Sequence, residues 1–107
     1  MPESFERGAL TEAVFYILLS LHRPMHGYAI MQNIERMTGG RVVLGAGTLY
    51  GAINALVKKR WIKALPESGS RKKEYEITDA GKAAYMEELS RLGELLKNDG
   101  AERGSKA

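Results

Sequence analysis

The sequence predicts a mainly α-helical fold with one small β-hairpin. Apolar residues recur at helical spacing in four stretches, two short β-like runs flank a turn-rich basic link, and glycine, proline or capping residues mark the junctions.

The chain has 107 residues, which suits one domain. Hydrophobic residues make up 44% of it, enough for a core without staples. It has no cysteine, which excludes disulfides and thiolate metal sites. The most apolar stretch, Leu10 to Leu21, contains Thr11, Glu12 and Ser20 and is shorter than the roughly 20 residues that span a bilayer. The opening Met1-Pro2-Glu3 lacks the basic start of a secretory signal. These features predict a soluble, cytoplasmic protein with no membrane partner. The net charge of +3 is a modest excess, so the placement of the charges matters more than their sum.

Residues 1–9 are polar and unpatterned and are expected to form a loose tail. The first helix is expected from Thr11 to His22. The Thr11 hydroxyl suits an N-cap because it can accept a free backbone N–H. Leu10, Val14, Ile17, Leu18 and Leu21 repeat at helical spacing, and Phe15, Tyr16 and Leu19 widen the stripe around most of the cylinder. A helix apolar on nearly all sides needs cover on nearly all sides, which one small subunit does not readily supply. Arg23 to Gly27 then turns the chain. A second helix is expected over Gly27 to Met37, with Ile30, Ile34 and Met37 inward and Gly39-Gly40 as its stop. Arg41 to Leu44 reads as a short β-like run.

A third helix is expected from Ala46 to Lys59, with Leu49, Ile53, Leu56 and Val57 as its inner stripe. Strands Trp61 to Leu65 and Lys73 to Ile77 follow, joined by Pro66-Glu67-Ser68-Gly69-Ser70-Arg71-Lys72. Thr78 suits an N-cap for a fourth helix, with Asp79 against the positive end of its dipole. That helix is expected to end near Asn98, before Gly100 and Gly104. Tyr85, Leu89, Leu92 and Leu96 form a seam fit to pack along another helix.

Three helices followed by a hairpin is the order of a winged helix-turn-helix, here residues 10–78. The fourth helix, residues 79–98, is additional and reads as a dimerisation helix, followed by a flexible tail over 99–107. The expected dimer surface combines Val14, Phe15 and Leu18 with Tyr85, Leu89, Leu92 and Leu96.

This architecture binds duplex DNA when one helix can enter the major groove and flanking donors hold phosphates. The third helix opens with Gly45-Ala46-Gly47-Thr48, so no bulky side chain blocks approach to its free N–H groups. Thr48 suits a phosphate or a base edge, Tyr50 a phosphate or sugar, and Asn54 the paired donor and acceptor of adenine. Gly51 and Ala52 keep the helix slim. The alternative is an ordinary core helix with a loose start. Glycine inside a helix costs roughly 1 kcal/mol, however, and two of them call for a reason.

Lys58, Lys59 and Arg60 close this helix, where cations also simply suit the negative dipole end. Arg71, Lys72 and Lys73 beside Gly69 are stronger phosphate candidates, although charge on an edge strand also prevents aggregation. His22 and His26 lie four apart, but Pro24 breaks the helix that a metal pair needs and no third ligand is evident. Trp61 is expected to pack the hairpin onto the core. No cysteine nucleophile, glycine-flanked serine elbow, phosphate loop or dinucleotide fingerprint occurs, so no catalytic residue, metal or cofactor is expected.

His26-Gly27-Tyr28, Gly47-Thr48-Leu49-Tyr50, Lys59-Arg60-Trp61-Ile62 and Tyr75-Glu76-Ile77-Thr78-Asp79-Ala80-Gly81 together resemble the PadR-type transcriptional regulators, over about Leu10 to Leu96. The resemblance implies a two-fold dimer in which the last helix packs on the partner's first and last helices. It also implies a repressor released from DNA by a small, flat aromatic effector. It places Gly47, Thr48 and Tyr50 on the recognition-helix motif and Arg71 and Lys72 on the wing. Tyr28 matches a tyrosine that touches phosphate or packs. The large C-terminal domain of longer members is missing, as in the short subfamily. The tryptophan that stacks on drugs in some short members has no counterpart on the fourth helix. Tyr16, Phe15, Met86 and Leu89 are the remaining candidates for an effector pocket. Two other functions use the same fold: a winged-helix module for protein contact, and a small-molecule carrier built on the dimer.

Overall fold

The computed structural model describes residues 9–66 and 72–104. Four helices and a three-stranded sheet follow in the order α1 (Glu12–Ser20), β1 (Met25–His26), α2 (Gly27–Met37), α3 (Ala46–Lys58), β2 (Ile62–Ala64), β3 (Glu74–Ile77) and α4 (Asp79–Arg103). The mainly helical fold with a small hairpin is therefore as expected.

Thr11 caps α1 by accepting the Val14 N–H at 3.1 Å. The helix is shorter than its apolar pattern implied, because the sheet claims its end. The Leu21 carbonyl accepts the Ile77 N–H of β3 at 2.8 Å, so the chain turns toward the sheet rather than continuing to His22. Met25 and His26, within the segment expected to be a plain turn, form β1. All strands are antiparallel in the order β1-β3-β2, with Met25 opposite Tyr75 and Ile62 opposite Ile77. Arg41 to Leu44 is not a strand. The Val42 N–H goes to the Thr38 hydroxyl at 3.0 Å and Arg41 pairs with Glu12, so the segment is held as a loop.

Both histidines make local contacts. His26 caps α2, its Nδ1 accepting the Ala29 N–H at 3.2 Å. His22 Nδ1 faces the Leu18 carbonyl at 3.0 Å, so it must donate, and its ring meets Tyr85 edge-on at 4.8 Å. Gly39 and Gly40 end α2 with φ of 60° and 84°, where side chains other than glycine are strained.

The core joins Ile17, Leu18 and Leu21 of α1 to Ile30 and Ile34 of α2, Leu49, Ile53 and Leu56 of α3, and Ile62, Tyr75 and Ile77 of the sheet. Val57, expected in the inner stripe of α3, lies at its margin and is exposed. Leu18 has no exposed surface, so it belongs to the subunit's own core and not to a dimer face. Tyr85 is likewise buried, stacked on Phe15 with centroids 4.9 Å apart. Trp61 is half-buried against the core, with Lys59 Nζ 4.8 Å from its ring.

Thr78 caps α4, accepting the Gly81 N–H at 3.1 Å. The helix runs on through Gly100 to Arg103, past the expected end at Asn98, and takes in the first residues of the expected tail. One glycine costs a helix only about 1 kcal/mol, and Arg103 reaches back across it to Asp99 at 2.7 Å. Its 25 residues span about 37 Å at 1.5 Å per residue, and Leu95 and Leu96 on its distal half are exposed.

Glu88 is only 5% exposed. Its carboxylate takes two hydrogen bonds from Arg91, at 3.1 and 2.5 Å. That pairing, joined by the Leu10 backbone N–H, holds its pKa below the usual carboxylate value despite burial. A carboxylate depressed in the folded state stabilises the fold above its unfolded pKa, about 4.3, and that stabilisation is lost as pH falls through the folded value. Thermal melts from neutral to acid pH should show this loss. Glu88→Gln should flatten it and cost about 1–2 kcal/mol at neutral pH.

Candidate nucleic-acid interface

Residues buried on the inner stripe of α3 leave the opposite face to solvent. Gly47, Thr48, Tyr50, Gly51 and Asn54 are all exposed there, beside the uncapped N-terminus at Gly45. A Cβ built on Gly45, Gly47 or Gly51 would meet nothing within 4 Å. Contacts among the described residues therefore do not require glycine at these places. Lys58 is exposed at the far end of the same helix, and Lys72 and Lys73 are exposed on the wing side of β3. Arg71 lies outside the described residues. The structure thus brings Thr48, Tyr50 and Asn54 onto one helix, with the glycines framing them. Tyr28 is exposed on the first turn of α2.

Tyr50 also has a structural task. A Cβ on Gly27 would fall 2.2 Å from its phenol oxygen and 2.6 Å from the ring carbon that bears it. The ring therefore rests on the bare backbone at the start of α2 and sets how α3 crosses it. Ser20 and Asn33 hold the other side of α2. The Asn33 amide donates to the buried Ser20 hydroxyl at 3.0 Å. Sequence reading noted Gly27 and Tyr50 separately, but only the fold joins two residues 23 positions apart.

Arg60 ends α3 in the left-handed region, with φ of 66°, at a cost of roughly 1–2 kcal/mol for a side chain other than glycine. Its carbonyl accepts the Thr78 hydroxyl at 2.7 Å, and the Thr78 N–H donates to the Trp61 carbonyl at 2.9 Å. A Cβ on Gly81 would sit 2.1 Å from that Trp61 carbonyl oxygen. The first turn of α4 is thus pressed directly on the backbone that leaves α3.

The model of the transcriptional regulator PadR-like family matches residues 15–87. This chain belongs to that family. The match covers the last six residues of α1, all of α2, α3 and the sheet, and the first turns of α4. A solved transcriptional regulator from Clostridium thermocellum is 28% identical and superposes with a TM-score of 0.74, covering 96% of this chain and 97% of that one. The Bacillus subtilis PadR solved with operator DNA is 22% identical, with a TM-score of 0.62 over 74% of this chain and 47% of that one, and shares the fold. Among curated relatives, an uncharacterized protein in a Streptomyces fradiae transposon is 39% identical over 72 residues, and the match spans 67% of this chain but a fifth (20%) of that protein. An uncharacterized protein of Lysinibacillus sphaericus is 35% identical over 86 residues, 78% of this chain and 76% of that one. No described helix is long and apolar enough to cross a membrane.

Gly27→Ala should cost about 1–3 kcal/mol through overpacking against the Tyr50 ring. In a Tyr50→Ala background the same change should cost nothing or stabilise, since alanine suits a helix better. Denaturant melts of the two single variants and the double variant measure the coupling. Equal costs in both backgrounds would refute the contact.

Proposed function

We propose that this PadR-like regulator binds duplex DNA sequence-specifically as a homodimer, with the outer face of α3 in the major groove. The observation that carries the reading is the set of exposed glycines at 45, 47 and 51, whose missing side chains no part of the described chain replaces. An outside body that must come close to the helix backbone accounts for them, and a phosphate backbone suits the free N–H groups at the helix start. Thr48, Tyr50 and Asn54 then read or position on bases, and Lys58, Tyr28 and the wing residues Arg71, Lys72 and Lys73 hold the flanking phosphates.

The proposed dimer face is Val14 and Phe15 of α1 with Leu89, Leu92 and Leu96 of α4. Leu96 is 74% exposed in the single chain, and a distal helix end bearing such leucines is stable in water when a second helix covers it. Two-fold symmetry makes the operator pseudo-palindromic, with half-sites about 34–36 Å apart. Repression relieved by a small aromatic effector completes the proposal. Half-buried Phe15 and Tyr16 and exposed Met86 and Leu89 are its candidate lining.

Binding titrations at rising salt test this reading. Affinity for duplex DNA should fall steeply with salt as counterions are released. Lys72→Ala should weaken binding to every sequence alike and lower the salt slope by about 1. Asn54→Ala should leave the salt slope and change the preferred base, at about 1–3 kcal/mol of discrimination. No retention of duplex even at low salt would instead favour a module for protein contact.

A further inference from the structure

Thr78, at the start of α4, binds the short segment that leads from α3 into β2. Its hydroxyl donates to the Arg60 carbonyl at the end of α3 (2.7 Å) and accepts the Gly81 N–H at the start of α4 (3.1 Å). Its backbone N–H holds the Trp61 carbonyl at 2.9 Å, just before β2. Gly81 brings α4 onto that same carbonyl, where any Cβ would be only 2.1 Å away. The left-handed turn at Arg60, φ 66°, immediately precedes Trp61, whose N–H returns to Leu56 of α3. Both hydrogen-bonding roles of one hydroxyl are therefore used between the end of α3 and the start of α4. These bonds connect the two helices directly, where the chain otherwise links them only through the hairpin.

We infer that Thr78 is a positioning residue that sets the spacing between the two half-sites a dimer accepts. The inference rests on the dimeric reading above. If α4 forms the dimer and α3 enters the groove, the angle between them fixes how far apart the two reading helices stand. With half-sites about 34–36 Å apart, each reading helix lies about 17 Å from the two-fold axis. A tilt of about 5° in each protomer moves each reading helix about 1.5 Å and changes their separation by about 3 Å, close to the roughly 3.4 Å between successive base pairs. A loosened junction therefore changes which spacing fits, while the residues facing the bases stay the same.

Thr78→Asp separates the two roles of the hydroxyl. An ionised aspartate caps a helix well and suits its positive end, so α4 keeps its start. It has no proton for the Arg60 carbonyl and repels it. The full-length wild type, Thr78→Ser, Thr78→Asp and Thr78→Val are each selected against a random duplex library, and the retained DNA is sequenced. Wild type and Thr78→Ser should enrich an inverted repeat at one spacing. Thr78→Asp and Thr78→Val should enrich the same half-site, with the spacing moved by a base pair or spread over adjacent values. Two variants are used so that the outcome does not hang on one of them folding. A fixed spacing kept by both overturns this inference alone, as does loss of the half-site motif together with the spacing, which would mark general destabilisation. A wild type that enriches no inverted repeat overturns the dimeric reading and this inference with it.

Discussion

A four-residue strand, β3, is the constraint on which the other elements depend. It is the middle strand of the sheet, so both its edges must be paired. One edge takes β2 and the other takes Met25 and His26. The N–H of its last residue, Ile77, takes the Leu21 carbonyl at the end of α1. A buried backbone group without a partner is costly, so these bonds decide where α1 stops, where α2 starts and how the hairpin is held. Thr78 follows immediately and begins α4. Three helices, α1, α2 and α4, are thereby referenced to one short strand, and its two inward residues, Tyr75 and Ile77, lie in the common core.

What is left outside that core is as informative as what is inside. α3 spends Leu49, Ile53 and Leu56 on burial, and among the described residues its other face is exposed. Tyr50 is the exception, because its ring lies on Gly27 and its exposed part remains on the outer face. One residue can thus link the packing angle of α3 to the surface it presents. A similar economy holds at α1, where Phe15 stacks on Tyr85 yet keeps part of its ring accessible. The helix that seemed too apolar for a small subunit is largely covered by its own chain through Ile17, Leu18 and Leu21. Val14, Phe15, Tyr16 and Leu19 are its large side chains that remain half-covered.

Much of this was legible in the sequence because the signals are local. Periodicity located all four helices, Thr11 and Thr78 marked two starts, and Gly39-Gly40 marked an end. Most of the differences share a cause, a partner distant in sequence. β1 exists only because β3 lies beside it, and nothing in Met25-His26 alone signals a strand. Arg41 to Leu44 has strand-like composition, but Thr38 and Glu12 hold it as a loop. Leu18 and Tyr85 looked like interface residues because periodicity tells which face is apolar, but not which neighbour covers it. Gly100 suggested a stop, whereas one glycine costs too little to end a long helix, and α4 runs on to Arg103. The exposed face of α3 was readable from its glycines. That Gly27 is bare for Tyr50, and Gly81 for the Trp61 carbonyl, required the fold.

The central claim is that the outer face of α3, with the wing, is where duplex DNA lies. Amide hydrogen exchange on the full chain, with and without duplex DNA at low salt, tests it most directly. The account predicts slowed exchange at residues 45–54 and along the wing around 72–76, with little change in the middle of α2. Slowing confined to α4, or to the loop around Val43, with residues 45–54 unchanged, would contradict it.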